Sequence, residues 1–180
     1  MKLKILLLTL LLSTSLISIS YANYQDGKDA YKQGDYKAAI KEFKSLADQD
    51  NAEAQNFLGL MYAIGKGVPR DSKEAFKWYL KAANQGNSTA QNNLGMAHQQ
   101  GSGTLKDDGK AIKWYRKSAD QGNAAAQHRL GRVYSNSRSK FKDLSKAKHW
   151  IKKAYENLNA NTVTVKEAKA SWKRFELWKY

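Results

Sequence analysis

The stretch Ala52–Asn87, AEAQNFLGLMYAIGKGVPRDSKEAFKWYLKAANQGN, decides the architecture. It returns at Ser88–Asn123 as STAQNNLGMAHQQGSGTLKDDGKAIKWYRKSADQGN, and in worn form from Ala124 as AAAQHRLGRVYSNSRSKFKDLSKAKHWIKKAYENL. Gly59, Gly95 and Gly131 step by 36 residues, as do Leu58, Leu94 and Leu130, Ala75, Ala111 and Ala147, and Trp78, Trp114 and Trp150. A fixed period of this size marks an array in which each copy is one supersecondary unit, buried only by stacking on its neighbours.

Within a copy, Ala54, Leu58 and Tyr62 lie four apart, on one face of a first helix. Gly59 sits beside that face. A glycine inside a helix costs about 1 kcal/mol against alanine, so its return in every copy points to a neighbouring helix that comes too close for a side chain. Gly65 and Gly67 break the helix. Asp71 is placed to cap the next one by accepting backbone N–H bonds. That second helix carries Ala75, Trp78, Tyr79 and Ala82 at spacings of three and four. Gly86 suits the left-handed residue past its end. One copy is helix–turn–helix.

The patterns A-x-x-x-L-G-x-x-Y, G-x-G-V and D-x-x-x-A-x-x-W-Y-x-x-A-A-x-x-G resemble the Sel1-like repeat, a relative of the tetratricopeptide repeat with a longer loop. The resemblance is strong over Ala52–Gly86 and Ser88–Gly122 and partial over Ala124–Leu158. In the third copy Ser137 and Ser139 replace the loop glycines, and Leu158 stands where Gly86 and Gly122 stood. The resemblance implies an all-α, right-handed α/α solenoid of three repeats (51–87, 88–123 and 124–158) that acts as a protein-binding scaffold.

The flanks are read as ends of that array. Residues 1–22 look like a secretory signal: Lys2 and Lys4, an apolar run from Ile5, then Ser20-Tyr21-Ala22 as a cleavage site after Ala22. A periplasmic or secreted destination follows, with an uncleaved anchor as the other reading. The chain has no cysteine, which excludes a lipoprotein anchor, disulfides and thiol chemistry. Residues 23–50 read as a degenerate first repeat and N-terminal cap, with Asp26 opening a short helix, a turn at Gly34-Asp35, and a helix over 37–48. Asp35, Asp71, Asp107 and Asp143 keep the step of 36. Residues 159–180 read as a turn and a last helix with Val165, Ala168, Trp172, Phe175 and Leu177 or Trp178 on one side, and with Trp172, Trp178 and Tyr180 beside several lysines. That helix is either a C-terminal capping helix for the solenoid or an amphipathic segment that lies on a membrane or a partner.

Charge is uneven. Residues 124–180 hold 14 Lys and Arg against 4 Asp and Glu, whereas residues 23–123 hold 15 against 12. Arg138, Lys140, Lys142, Lys148, Lys152, Lys173 and Arg174 form the expected basic patch. Such a one-sided field attracts anionic partners. An exported destination turns this away from nucleic acid and toward an acidic protein, lipid head groups or wall polymer. A plain solvated basic surface is the alternative.

Catalytic chemistry finds little support. His98 occupies the slot of Tyr62 and Tyr134, and His149 precedes Trp150 at a solvent-facing position. No histidine pairs with another ligand at metal spacing, so no metal or cofactor is expected. Two S-x-x-K matches, at Ser137 and Ser139, lack the partner motifs that give that pattern meaning. What remains is a surface. First helices line the concave face of such solenoids. By resemblance to tetratricopeptide arrays the groove slots are Glu53, Asn56, Leu60 and Ala63, then Thr89, Asn92, Met96 and Gln99, then Ala125, His128, Arg132 and Ser135. An Asn56–Asn92–His128 ladder beside Leu60, Met96 and Arg132 would hydrogen-bond an extended peptide, with Arg132 pairing a carboxylate. The expectation is a monomeric, exported scaffold or adaptor for a protein or peptide. An immunity protein against a periplasmic toxin is the narrower alternative. A cell-wall or β-lactam hydrolase is the remote one.

Overall fold

A computed structural model of the chain describes residues 23–157 and 161–176. The expected signal at 1–22, the junction residue Leu158, and Leu177, Trp178 and Tyr180 lie outside the described residues, as does the side chain of Phe175. Nine helices and no strand are found among those described. The chain divides into two compact units, one ending at Trp78 and the other beginning at Tyr79.

The first unit contains α1 (residues 23–33), α2 (Tyr36–Asp48), α3 (Ala52–Ile64) and the start of α4 (Ser72–Asn84). Asp26 does not open α1; the helix already runs from residue 23, so the expected cap lies inside it. Asp35 does cap α2, its Oδ1 accepting from the Ala38 N–H at 3.0 Å. The apolar stripe of α2 buries Ala39, Phe43, Leu46 and Ala47 against Ala54, Leu58 and Met61 of α3. Phe43 and Phe57 stack at 4.4 Å, and Tyr31 meets Phe57 edge-on at 5.2 Å.

The second unit holds α5 (Ser88–Gln100), α6 (Asp108–Asp120), α7 (Ala124–Ser135), α8 (Leu144–Glu156) and α9 (Thr162–Glu176). Its core joins Tyr115, Leu130 and Trp150, all almost wholly buried. Two of the helical glycines, Gly95 and Gly131, sit at the close approaches expected of them. A Cβ on Gly95 would run into the Tyr115 ring, and one on Gly131 into Ile151.

The starts of α3 to α8 are capped by the residue type the period supplies. Asn51, Asn87 and Asn123 accept the N–H groups of Ala54, Ala90 and Ala126 at 2.9, 2.9 and 3.0 Å. Asp71, Asp107 and Asp143 cap the second helices. The backbone N–H of each Asp also bonds to the carbonyl of Tyr62, His98 and Tyr134 respectively, at 2.9, 2.8 and 2.9 Å. That bond closes the loop in every copy. In the third copy the left-handed glycine is gone, α7 stops at Ser135, and Asn136 leaves in an extended conformation. Ser139 compensates, its hydroxyl accepting the Phe141 N–H at 3.1 Å.

One periodic device went unread in the sequence. Gln55, Gln91 and Gln127 are buried, and each donates its amide to a carbonyl eight residues earlier: Ala47, Ala83 and Ala119, at 3.1, 3.2 and 3.2 Å. These carbonyls are at the ends of second helices, where intrahelical donors run out.

Gly95→Ala is expected to destabilise the chain by about 1–3 kcal/mol through overpacking, outweighing the roughly 1 kcal/mol that alanine gains in a helix. Urea unfolding measures it; a variant more stable than wild type would refute the close-approach role of Gly95.

Candidate functional site

The face expected to receive a partner is built, in the second unit, on α5 and α7. Five of its eight slots line two cavities, Thr89, Asn92 and Ala125 one of them and Gln99 and Arg132 the other, while Met96, His128 and Ser135 line neither. The N-terminal cavity, of about 390 Å³, is lined by Ser88, Thr89 and Asn92 of α5, Ala125 of α7, and Asn161 and Thr164 at the foot of α9. Asn92 is 7% exposed. Its amide NH₂ makes a weak contact to Met96 Sδ at 3.9 Å, while its Oδ1 finds no donor among the described residues. That oxygen is closed to solvent, although the side chain lines the cavity.

The ladder does not continue openly to His128. This residue is 5% exposed because α9 packs over it. His128 Nε2 lies 3.1 Å from Ser171 Oγ, and Nδ1 lies 3.3 Å from the Glu167 carboxylate. The physical reason is the small, fully buried Ala168, with Thr164 also buried, which seats α9 closely on α7 and α8. His128 is therefore held by the chain's own last helix. Burial holds its pKa below the ordinary 6.5; Arg132 and Arg129 act in the same sense, and Glu167 opposes them. Asn56 and Leu60 lie on α3 of the first unit, both half-buried.

The C-terminal cavity, of about 410 Å³, brings together two expected residues, Gln99 and Arg132, with Lys106, Asp108, Arg129 and Asn136. Arg129 has no counterpart in the other copies, where Phe57 and Asn93 stand, so the period gives no signal for it. Its only signal is the i, i+3 spacing to Arg132, which puts both on one side of α7. The Tyr115 hydroxyl donates to Gln99 Oε1 at 3.0 Å. Burial pushes that hydroxyl up to about 12, with Arg129 pulling the other way, so it stays protonated as a donor.

The expected basic patch is exposed throughout. Arg138, Lys140 and Lys142 lie on the loop between α7 and α8, where Arg138 and Lys140 flank the cavity-lining Ser139. Lys152 reaches Glu156 at 3.7 Å, and the Lys148 ammonium is 5.9 Å from the Trp172 ring of α9. Among the described residues no three His, Asp or Glu side chains converge as a metal site requires, and no helix is long and apolar enough to cross a membrane.

A Sel1 repeat model matches residues 52–87, 88–123 and 124–157, and a tetratricopeptide repeat model matches 24–66. Among solved structures, the Sel1 repeat protein from Oxalobacter formigenes is similar at 34% identity with a TM-score of 0.75, over 85% of this chain and 59% of its own. The protein c5321, a protective antigen present in uropathogenic Escherichia coli strains displaying an SLR fold, is similar at 27% identity with a TM-score of 0.69, over 87% of this chain and 38% of its own. The chain thus spans little more than half the length of the first and well under half of the second. The immunity protein Pa5087 from Pseudomonas aeruginosa aligns at 14% identity with a TM-score of 0.42, over 87% of this chain and 82% of its own, a likeness that carries no argument. No curated protein matches the chain. The architecture is an all-α helical repeat solenoid.

The state of His128 makes stability depend on pH. Unfolded, it takes up a proton near 6.5, whereas folded it does so lower. Its contribution is whole above 6.5 and is lost as pH falls from there through the folded value. Resistance to urea is expected to fall from about pH 7 to about pH 5, and to fall less in His128→Asn. His98, also held low by burial, supplies the background common to both. A ring titration by NMR with its midpoint above 6.5 would show that the Glu167 pairing prevails over burial.

Proposed function

Because this chain belongs to the Sel1 repeat family, we propose that it is an exported protein-binding scaffold that takes an acidic protein or peptide along the α5–α7 face. The Sel1 fold is that of a protein-interaction scaffold. The observation that carries the finer reading is the pair of cavities on one face: a buried amide oxygen of Asn92 left without a donor, and, toward the other end, a cationic cavity. Both are lined largely by polar side chains.

Three further features support the reading. The excess of cations in residues 124–180 gives long-range attraction for an acidic partner. Export follows from the leader pattern of residues 1–22. Catalysis is not part of it: the Ser139 hydroxyl serves the loop by accepting the Phe141 N–H, and the buried His128 is engaged by α9. In an exported setting nucleic acid is not the partner.

Two measurements test this. The chain is expected in the envelope of an expressing cell with a mass that lacks residues 1–22; a retained leader would replace cleavage by an uncleaved anchor, and absence from the envelope would overturn the export claim. The mature form, used as bait in the producing cell's envelope fraction, is expected to capture one acidic protein. An Asn92→Ala/Arg132→Glu double variant is expected to lose it. Capture of a toxin would specialise the scaffold to an immunity protein. Capture indifferent to the double variant would remove the α5–α7 face from the reading, and no specific capture would sink the scaffold role.

A further inference from the structure

We infer that the cavity at the C-terminal ends of α5 and α7 is a carboxylate-binding site, with Arg129 and Arg132 as the recognising pair. This rests on the scaffold reading above and names the chemistry of what the scaffold holds. Three cations, Lys106, Arg129 and Arg132, line the cavity against one acid, Asp108. The two guanidiniums come from one side of α7, three residues apart, and a guanidinium presents a planar fork of donors that matches a carboxylate.

Arg129 carries the argument. Its Nε is buried and finds no hydrogen-bond acceptor among the described residues. That Nε is itself closed to solvent, so an incoming carboxylate is met by the part of the Arg129 side chain that lines the cavity. Arg129 is also set against the Tyr115 hydroxyl, which stays protonated. The surrounding groups lean toward donation. The Gln99 carbonyl oxygen is engaged by Tyr115, so the capacity left on that amide lies in its NH₂ group. A volume of about 410 Å³ admits a side chain or a chain end rather than a folded surface. The carboxylate therefore belongs to a peptide segment, either an Asp or Glu side chain or a free C-terminus.

The test follows the arginine Nε–Hε signals of the ¹⁵N-labelled chain by NMR. Four probes are titrated: N-acetyl tetraglutamate amide, which has side-chain carboxylates only; N-acetyl triglycine, which has a terminal carboxylate only; N-acetyl triglycine amide, which has neither; and inorganic phosphate. A saturable shift of the Arg129 signal is expected with the first or the second probe, and the one that acts tells side chain from chain end. The third probe is expected to do nothing. In Arg132→Gln the Kd is expected to rise about tenfold, the effect of losing one charged hydrogen-bonding partner. Arg132 is exposed, so an unchanged urea midpoint will show that this variant is folded. The assignment is overturned if neither carboxylate probe saturates, if Arg132→Gln binds as well as wild type, or if phosphate binds more tightly than both. Envelope capture that persists while the NMR shift is absent would overturn the pocket and leave the scaffold. A clean NMR shift without any envelope capture would do the reverse.

Discussion

The second unit depends on a single close approach. The Tyr115 ring lies against the α5 backbone at Gly95, where any side chain would meet it. Part of the wall of the cationic cavity follows from that seating. The ring fills the core beside Leu130 and Trp150, and its hydroxyl reaches Gln99 at the cavity wall. The same hydroxyl sits against Arg129. One aromatic side chain therefore links helix packing to the placement of two groups that line the cavity. Gly131 and Ile151 repeat the packing half of the arrangement on α7 and α8, but an isoleucine has no polar tip to organise a site.

The frame was legible in the sequence wherever physics repeats itself every 36 residues. The helical glycines and the Asp caps recur in every copy and the exit glycines in two of the three, so the period exposes them. Gln55, Gln91 and Gln127 keep that period too and were still passed over. A glutamine on a helix reads as surface unless one asks which donor serves the last carbonyls of the preceding helix. The short α1 was misjudged at Asp26 because nothing periodic precedes it.

The site was less legible, for the opposite reason. Arg129 is a departure from the repeat, standing where the other copies have Phe57 and Asn93. His128 was placed in the correct slot but given the wrong surroundings. Slot assignment says which way a side chain faces, and it is silent on what later chain folds over it. Here α9, which lies outside the period, brings Glu167 and Ser171 to the imidazole. Periodic positions build the array, and aperiodic ones set what it meets.

The bond from the Asp143 N–H to the Tyr134 carbonyl has a wider meaning. It joins the two ends of the α7–α8 loop and asks nothing of the residues between them; the same bond closes the glycine-bearing loops at Asp71 and Asp107. The helices on either side are thus insulated from the loop's composition. Asn136 and Ser139, which line the cationic cavity, belong to that insulated segment. Substitution there can reshape the rim of the cavity while the helices below keep their places, so ligand preference and architecture are free to diverge at separate rates.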